Sequence, residues 1–298
     1  MKPVNYRLLL SFCLLLLCAH VSVAQKKEPL HADWLASDLA NLERILPQLK
    51  QNEPLSVEAL EQIFKSVGAG QSFDWRGDRR LGFGAQTFAF SKSSGYTSLR
   101  VTGWVFNNTI ANYTIALSTS SESWPMIKSV LMDRWNRNGG PEFTEGKYGI
   151  HHDREFADVI ADYKKAVADQ LGEIQPVNVP AHLKDDYEFL ISIGGRVALG
   201  DGGCGYAGST PRGKEAIDAI VKANRVDLII NILKGYNPGG RAYAMLALFG
   251  MMRKGLELPP DVQRAFDVVR GLDLELTTCS GCIYTTETAQ QILNRWRF

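Results

Sequence analysis

Cysteine is scarce in this chain: five in 298 residues, with Cys13 and Cys18 inside the first 24. The remaining three, Cys204, Cys279 and Cys282, are too few for a disulfide-built scaffold, so the fold must rest on a hydrophobic core. An excess of one charge is also missing. Lys and Arg number 33 against 32 Asp and Glu, a formal net charge of +1 that removal of Lys2 and Arg7 would bring to −1. No global basic surplus argues for nucleic acid or an anionic membrane as partner. After the N-terminus no apolar run approaches the ~20 residues that span a bilayer. The richest, 242–252, is bounded by Arg241 and Arg253 and reads as a buried helix. No Gly-x-Ser-x-Gly elbow is present, no carboxylate pair stands out from ordinary surface charge, and no His–Cys spacing fits a zinc finger. No cofactor and no metal is implied.

What is there begins with an address. Lys2 and Arg7 precede apolar residues 8–19, and Val21-Ser22-Val23-Ala24 follows. That pattern predicts a secretory signal peptide over residues 1–24, cleaved after Ala24, and a periplasmic or secreted mature chain from Gln25 with no stable membrane span. Cys18 is not placed for a lipid anchor, because Leu17 stands where a small residue is wanted.

The mature chain divides by hydrophobic period. Leu35, Leu39, Leu42, Leu46 and Leu49 recur at three and four and predict an amphipathic helix; Ser56 caps a second carrying Leu60, Phe64 and Val67. Alternation then takes over in 81–91, 98–106 and 113–118, with turns at Ser93-Ser94-Gly95 and Asn107-Asn108, predicting a three-stranded antiparallel meander. Further helices are predicted over 123–135 and from Asp153, with His151-His152 as a solvated helix start. Prolines between 172 and 180 mark a boundary. Beyond it the helical period returns in Leu183/Tyr187/Leu190, Ala216/Ile217/Ile220, Leu228/Ile229/Ile232/Leu233, Tyr243/Ala247/Met251 and Val262/Phe266/Val269, broken at Asn224, Asn237-Pro238 and Pro259-Pro260. Residues 272–276 alternate like a short strand, and 287–296 closes as a helix.

The expected fold class is therefore α+β. A unit over 25–172 holds a small antiparallel meander flanked by helices, and 181–298 forms helical hairpins ending in a Cys-Ser-Gly-Cys segment. Helix lengths and break spacing over about 181–272 resemble stacked helix pairs of the HEAT or armadillo type. That resemblance implies a concave surface for a protein partner, while the residues equally allow two or three hairpins in a compact bundle.

Three sites invite chemistry. The first is the cysteines. A Cys204–Cys279 bond would constrain ~75 residues and contribute about 4.5 kcal/mol, against about 2 kcal/mol for closing Cys279 to Cys282. Nearness along the chain favours Cys279–Cys282, which is the expected pair. Since a helix is predicted from Thr285 or Thr286, both of its thiols would precede the first turn, which favours a structural over a redox role. The second is the run from Gly200 to Gly208, in which Gly202, Gly203, Cys204, Gly205 and Tyr206 would form a ligand-contacting loop. There Cys204 would need His151, His152 or His182 as a base to act as a thiol-hydrolase nucleophile. Gly208 to Lys214 has phosphate-loop spacing, but Glu215 replaces the Mg²⁺-binding hydroxyl, so a loop entering a helix is expected. The third is aromatic: Trp75 and Trp104 are the tryptophans best placed for a ligand surface. Asn107-Asn108-Thr109 and Asn112-Tyr113-Thr114 are glycosylation sequons. The leading expectation is an exported, non-enzymatic binding or structural protein acting through protein–protein contacts. Its rival is a thiol-dependent enzyme using Cys204, or an oxidoreductase using Cys279 and Cys282.

Overall fold

The computed structural model describes residues 32–49, 53–67, 80–94, 97–120, 124–125, 128–129, 132–133, 144–146, 149–193, 197–200, 202–204, 208–281 and 283–295. The expected signal peptide, Trp75, Gly205, Tyr206 and Cys282 lie outside them, as does most of the helix expected over 123–135.

Two helices come first, α1 (Ala32–Leu49) and α2 (Val57–Lys65). Ser56 caps α2, its Oγ accepting from the Ala59 amide at 3.2 Å. That helix buries Leu60, Ile63 and Phe64, and the Phe64 ring stacks on Phe90 at 5.2 Å. The strands follow: β1 (Arg80–Gly82), β2 (Ala85–Ser94), β3 (Thr97–Phe106), β4 (Thr109–Thr119), β5 (Thr144–Gly146) and β6 (Gly149–Glu155). They form one six-stranded antiparallel sheet in the order β1-β2-β3-β4-β6-β5. The expected meander is its centre, β2 to β4. Asn107 and Asn108, at φ 46° and 67°, make the two-residue turn between β3 and β4, the hand that matches strand twist.

His151, His152 and Asp153 are strand residues of β6, not a helix start, and α3 (Ala157–Leu171) begins only after Phe156. The correction has a local cause. Four consecutive polar residues in Gly-Ile-His-His-Asp-Arg-Glu hide the period-2 signal, and β4 supplies the ladder that makes the segment a strand.

The two faces of the sheet have opposite chemistry. Phe88, Phe90, Leu99, Val101, Ile115 and Leu117 share one face and pack under α1 and α2. The other face reads Thr87–Trp104–Asn112 in one cross-strand row, Ala89–Thr102–Thr114 in the next and Ser91–Arg100–Ala116 beyond. A bulge between Trp104 and Val105, with Ala111 as the extra residue, bends the sheet where α3 meets it. There Tyr163 of α3 lies against Trp104 at 5.1 Å and Phe106 at 5.8 Å.

The second half is mostly helical. A single 3₁₀ turn (Ala181–Leu183) leads to α4 (Lys184–Ile191), α5 (Arg212–Lys222), α6 (Val226–Leu233), α7 (Pro238–Met252) and α8 (Pro260–Gly271). α7 is buried on all sides and packs against α4, α5, α6 and α8, as its continuous apolar sequence requires. Asn237 caps it, accepting from the Gly240 amide at 3.1 Å and donating to the Ser192 carbonyl at 2.9 Å. The chain ends in a hairpin, β7 (Leu276–Ser280) and β8 (Ile283–Glu287), and in α9 (Ala289–Arg295).

Three bonds hold β1 to this half. Arg80 pairs with Asp273 at 2.6 Å and Glu275 at 2.7 Å, and its carbonyl accepts from the Glu275 amide at 2.8 Å. Arg241 of α7, with no exposed surface, donates to the Leu81 and Gly235 carbonyls at 2.8 Å each. Its guanidinium lies over the Phe83 ring, 5.1 Å from the centroid.

Candidate functional site

Cys279 and Ser280 end β7, and Gly281 and Cys282 occupy the two-residue turn into β8, since Ser280 pairs with Ile283. The Cys-Ser-Gly-Cys segment is thus a hairpin, not the lead-in to a helix. Ile283, Tyr284, Thr285 and Thr286 are aromatic or β-branched, and a strand accepts them better than a first helical turn. Directly opposite Cys279 stands Tyr284.

The other edge of β7 is taken by the glycine-rich segment. Leu199 receives the Cys279 amide at 2.7 Å and donates to the Thr277 carbonyl at 2.8 Å, and Gly203 receives the Gly281 amide at 2.9 Å. Cys204 comes alongside Cys279 and the two form a disulfide, with Cα atoms 5.6 Å apart and 75 residues between them in sequence. The expected Cys279–Cys282 pair is therefore corrected. Cys279 is engaged with Cys204 because β7 has a neighbour on that side, and chain-entropy arguments favour this longer bridge. Gly200 is part of the same arrangement. A Cβ there would meet Pro211 Cγ at 2.6 Å and Cys204 Sγ at 2.8 Å, so only glycine lets the segment lie this close.

Of the proposed ligand-contacting loop, Gly202 and Gly203 are exposed and Cys204 is half-buried. Bonded to Cys279, Cys204 carries no thiol to serve as a nucleophile. His151 and His152 are on β6 and His182 is in the 3₁₀ turn, and none of them lines the notch beside Cys204. The Gly208–Lys214 stretch is the loop entering α5, where the Lys214 ammonium pairs with Asp218 at 2.6 Å. Among the described residues no group of three His, Cys, Asp or Glu stands together to hold a metal ion. No helix among them is long and apolar enough to cross a membrane.

Two concavities remain. One is a notch of about 250 Å³ beside the disulfide, lined by Tyr284, Phe189, Pro211 and Arg212. The Arg212 guanidinium sits 4.4 Å above the Phe189 ring, which fixes a cation at the rim of an aromatic wall. Ile283 and Tyr284 flank it at 67% and 58% exposure, the large apolar side chains most open to solvent among the described residues. Sequence reasoning missed both, having assigned them to a turn before a helix.

The other is a cleft of about 470 Å³ over the polar face of the sheet, walled by Pro238 and Gly239 at the start of α7 and by Glu275 to Thr277. Trp104 helps to line it, as anticipated for a ligand surface. The remaining floor residues, Thr102 and Asn112 among them, carry no motif that sequence inspection would single out. They become neighbours only when β3 and β4 pair. Comparison with known proteins finds no family model, no curated protein and no solved structure that matches this chain.

Proposed function

We propose that this chain is an exported, non-enzymatic binding protein that takes an extended segment of a partner protein along the outer edge of β8. The observation that carries this reading is the exposure of Ile283 and Tyr284 on a strand paired on one side only. A strand with one side unpaired offers a row of backbone donors and acceptors to an added strand, and alternate side chains of the guest then find pockets. The notch under Tyr284 would take one such side chain, with Arg212 at its rim favouring an acidic neighbour. The Cys204–Cys279 bond supports the reading by holding the hairpin in place before the partner arrives, which lowers the ordering cost of association. Export, from the residue pattern of 1–24, accords with a disulfide in the mature chain.

The test is selection of displayed random peptides on immobilised mature protein, followed by titration of the best binders. Peptides should be recovered whose binding falls by about tenfold or more in both Ile283→Lys and Tyr284→Lys, an interface loss of 1.4 kcal/mol or more. Recovery of no peptide, or binding indifferent to both changes, would sink the proposal. N-terminal sequencing of protein recovered outside the cytosol should begin at Gln25.

A further inference from the structure

We infer that the cleft over the polar face of the sheet is a second binding site, for a small polyhydroxylated carboxylate of the sugar-acid type. It is independent of the β8 edge: the cleft lies over β2, β3 and β4, and its walls are α7 and the start of β7.

A sheet face turned toward a helical layer is ordinarily apolar, because burying it is what holds the layers together. This one is apolar only where α3 covers it. In the uncovered part Thr87, Thr102, Asn112 and Thr114 stand in adjacent rows, under a space of about 470 Å³ that falls within the range of small-molecule sites. Hydroxyls and amides set in such a recess are costly to leave without partners.

The groups without a partner decide the ligand. Trp104 is 5% exposed and its indole N–H is buried with no acceptor. Thr102 and Asn112 have no side-chain partner among the described residues, and neither does the Arg100 guanidinium at the end of the floor. Thr114 already donates to Asp153 at 2.5 Å, so its oxygen is left to accept. Glu275 on the wall is taken by Arg80 at 2.7 Å. The uncommitted charge is thus positive. A guanidinium fork matches a carboxylate with two parallel hydrogen bonds. Neighbouring hydroxyls of a sugar acid would exchange hydrogen bonds with Thr102, Asn112 and Thr114, and its C–H groups would lie on the Trp104 indole. A neutral sugar leaves Arg100 unmatched, and an apolar ligand would strip water from the threonines and asparagine with nothing in return.

The test is calorimetric titration of the mature chain with D-gluconate and D-glucuronate, beside sorbitol and glucose as neutral counterparts. Both acids should bind, with the neutral compounds about tenfold weaker or worse. Arg100→Gln should weaken the acids about tenfold and leave melting unchanged, since Arg100 is exposed and partnerless. In ¹⁵N-tryptophan-labelled protein, the indole resonance that disappears in Trp104→Phe should move on addition of gluconate; Thr102→Val gives a second, isosteric check should Trp104→Phe fail to fold. No binding of either acid at about 1 mM, equal binding of the neutral sugars, or binding that ignores Arg100→Gln would each overturn the inference.

Discussion

Lys234 is the residue whose burial asks most of its surroundings. It closes α6 at 5% exposure, and its ammonium lies 3.1 Å from Asp261 Oδ2 in the first turn of α8. The carboxylate in turn is held below its ordinary value, chiefly by the hydrogen bond from Lys234 and further by that positive charge and the amides of the helix start. A carboxyl depressed in the folded state adds stability that is complete above the unfolded value of about 3.9 and disappears as the pH falls through the lower folded one. Melting temperature measured against pH should therefore drop on the acid side of that range. In Asp261→Asn the drop should be shallower and the neutral-pH melting point lower, because a buried ammonium then faces no carboxylate. An unchanged acid limb would show that the pair contributes nothing.

Between elements, the tightest approach is α4 to α7. A Cβ on Gly240 would fall on the Leu190 carbonyl, and backbone at the end of a helix has little room to yield. Gly240→Ala should thus push α4 off α7 and cost about 2 kcal/mol or more in urea denaturation, whereas a solvent-facing change such as Lys222→Ala should be nearly neutral. Elements of this kind were the legible part of the chain. Ala216, Ile217 and Ile220, or Val262, Phe266 and Val269, announce a buried helical stripe by spacing alone, and all six are buried. Leu99, Val101, Ile115 and Leu117 announce strands for the same reason. The segments that misled are those whose conformation is imposed by a distant neighbour. β6 is polar yet becomes a strand against β4, and β8 runs on past a Cys-x-x-Cys that resembled a helix entry, because β7 was already in place. Of the two concavities, sequence marked Trp104 alone. Thr102 and Asn112 come from different strands, and nothing local records that their side chains share a row.

For the molecule as a whole, the disulfide is the longest constraint, enclosing α5 to α8 between Cys204 and Cys279. Loop-closure entropy puts its contribution at about 4.5 kcal/mol. Cys204→Ser and Cys279→Ser should each lower the unfolding free energy by an amount of that order, and reductant should do the same to the unaltered protein. Cys282→Ser should leave it unchanged, with thiol titration of the mature chain falling from one reactive group to none. If Cys282→Ser destabilises as much as Cys279→Ser, the pairing is wrong.

The same bond alters what a protease can do to the chain. Arg253 and Lys254 lie in the exposed connection between α7 and α8, well inside the span closed by the two sulfurs. A single scission there would add the mass of one water and release nothing: both pieces would migrate together until dithiothreitol parted them.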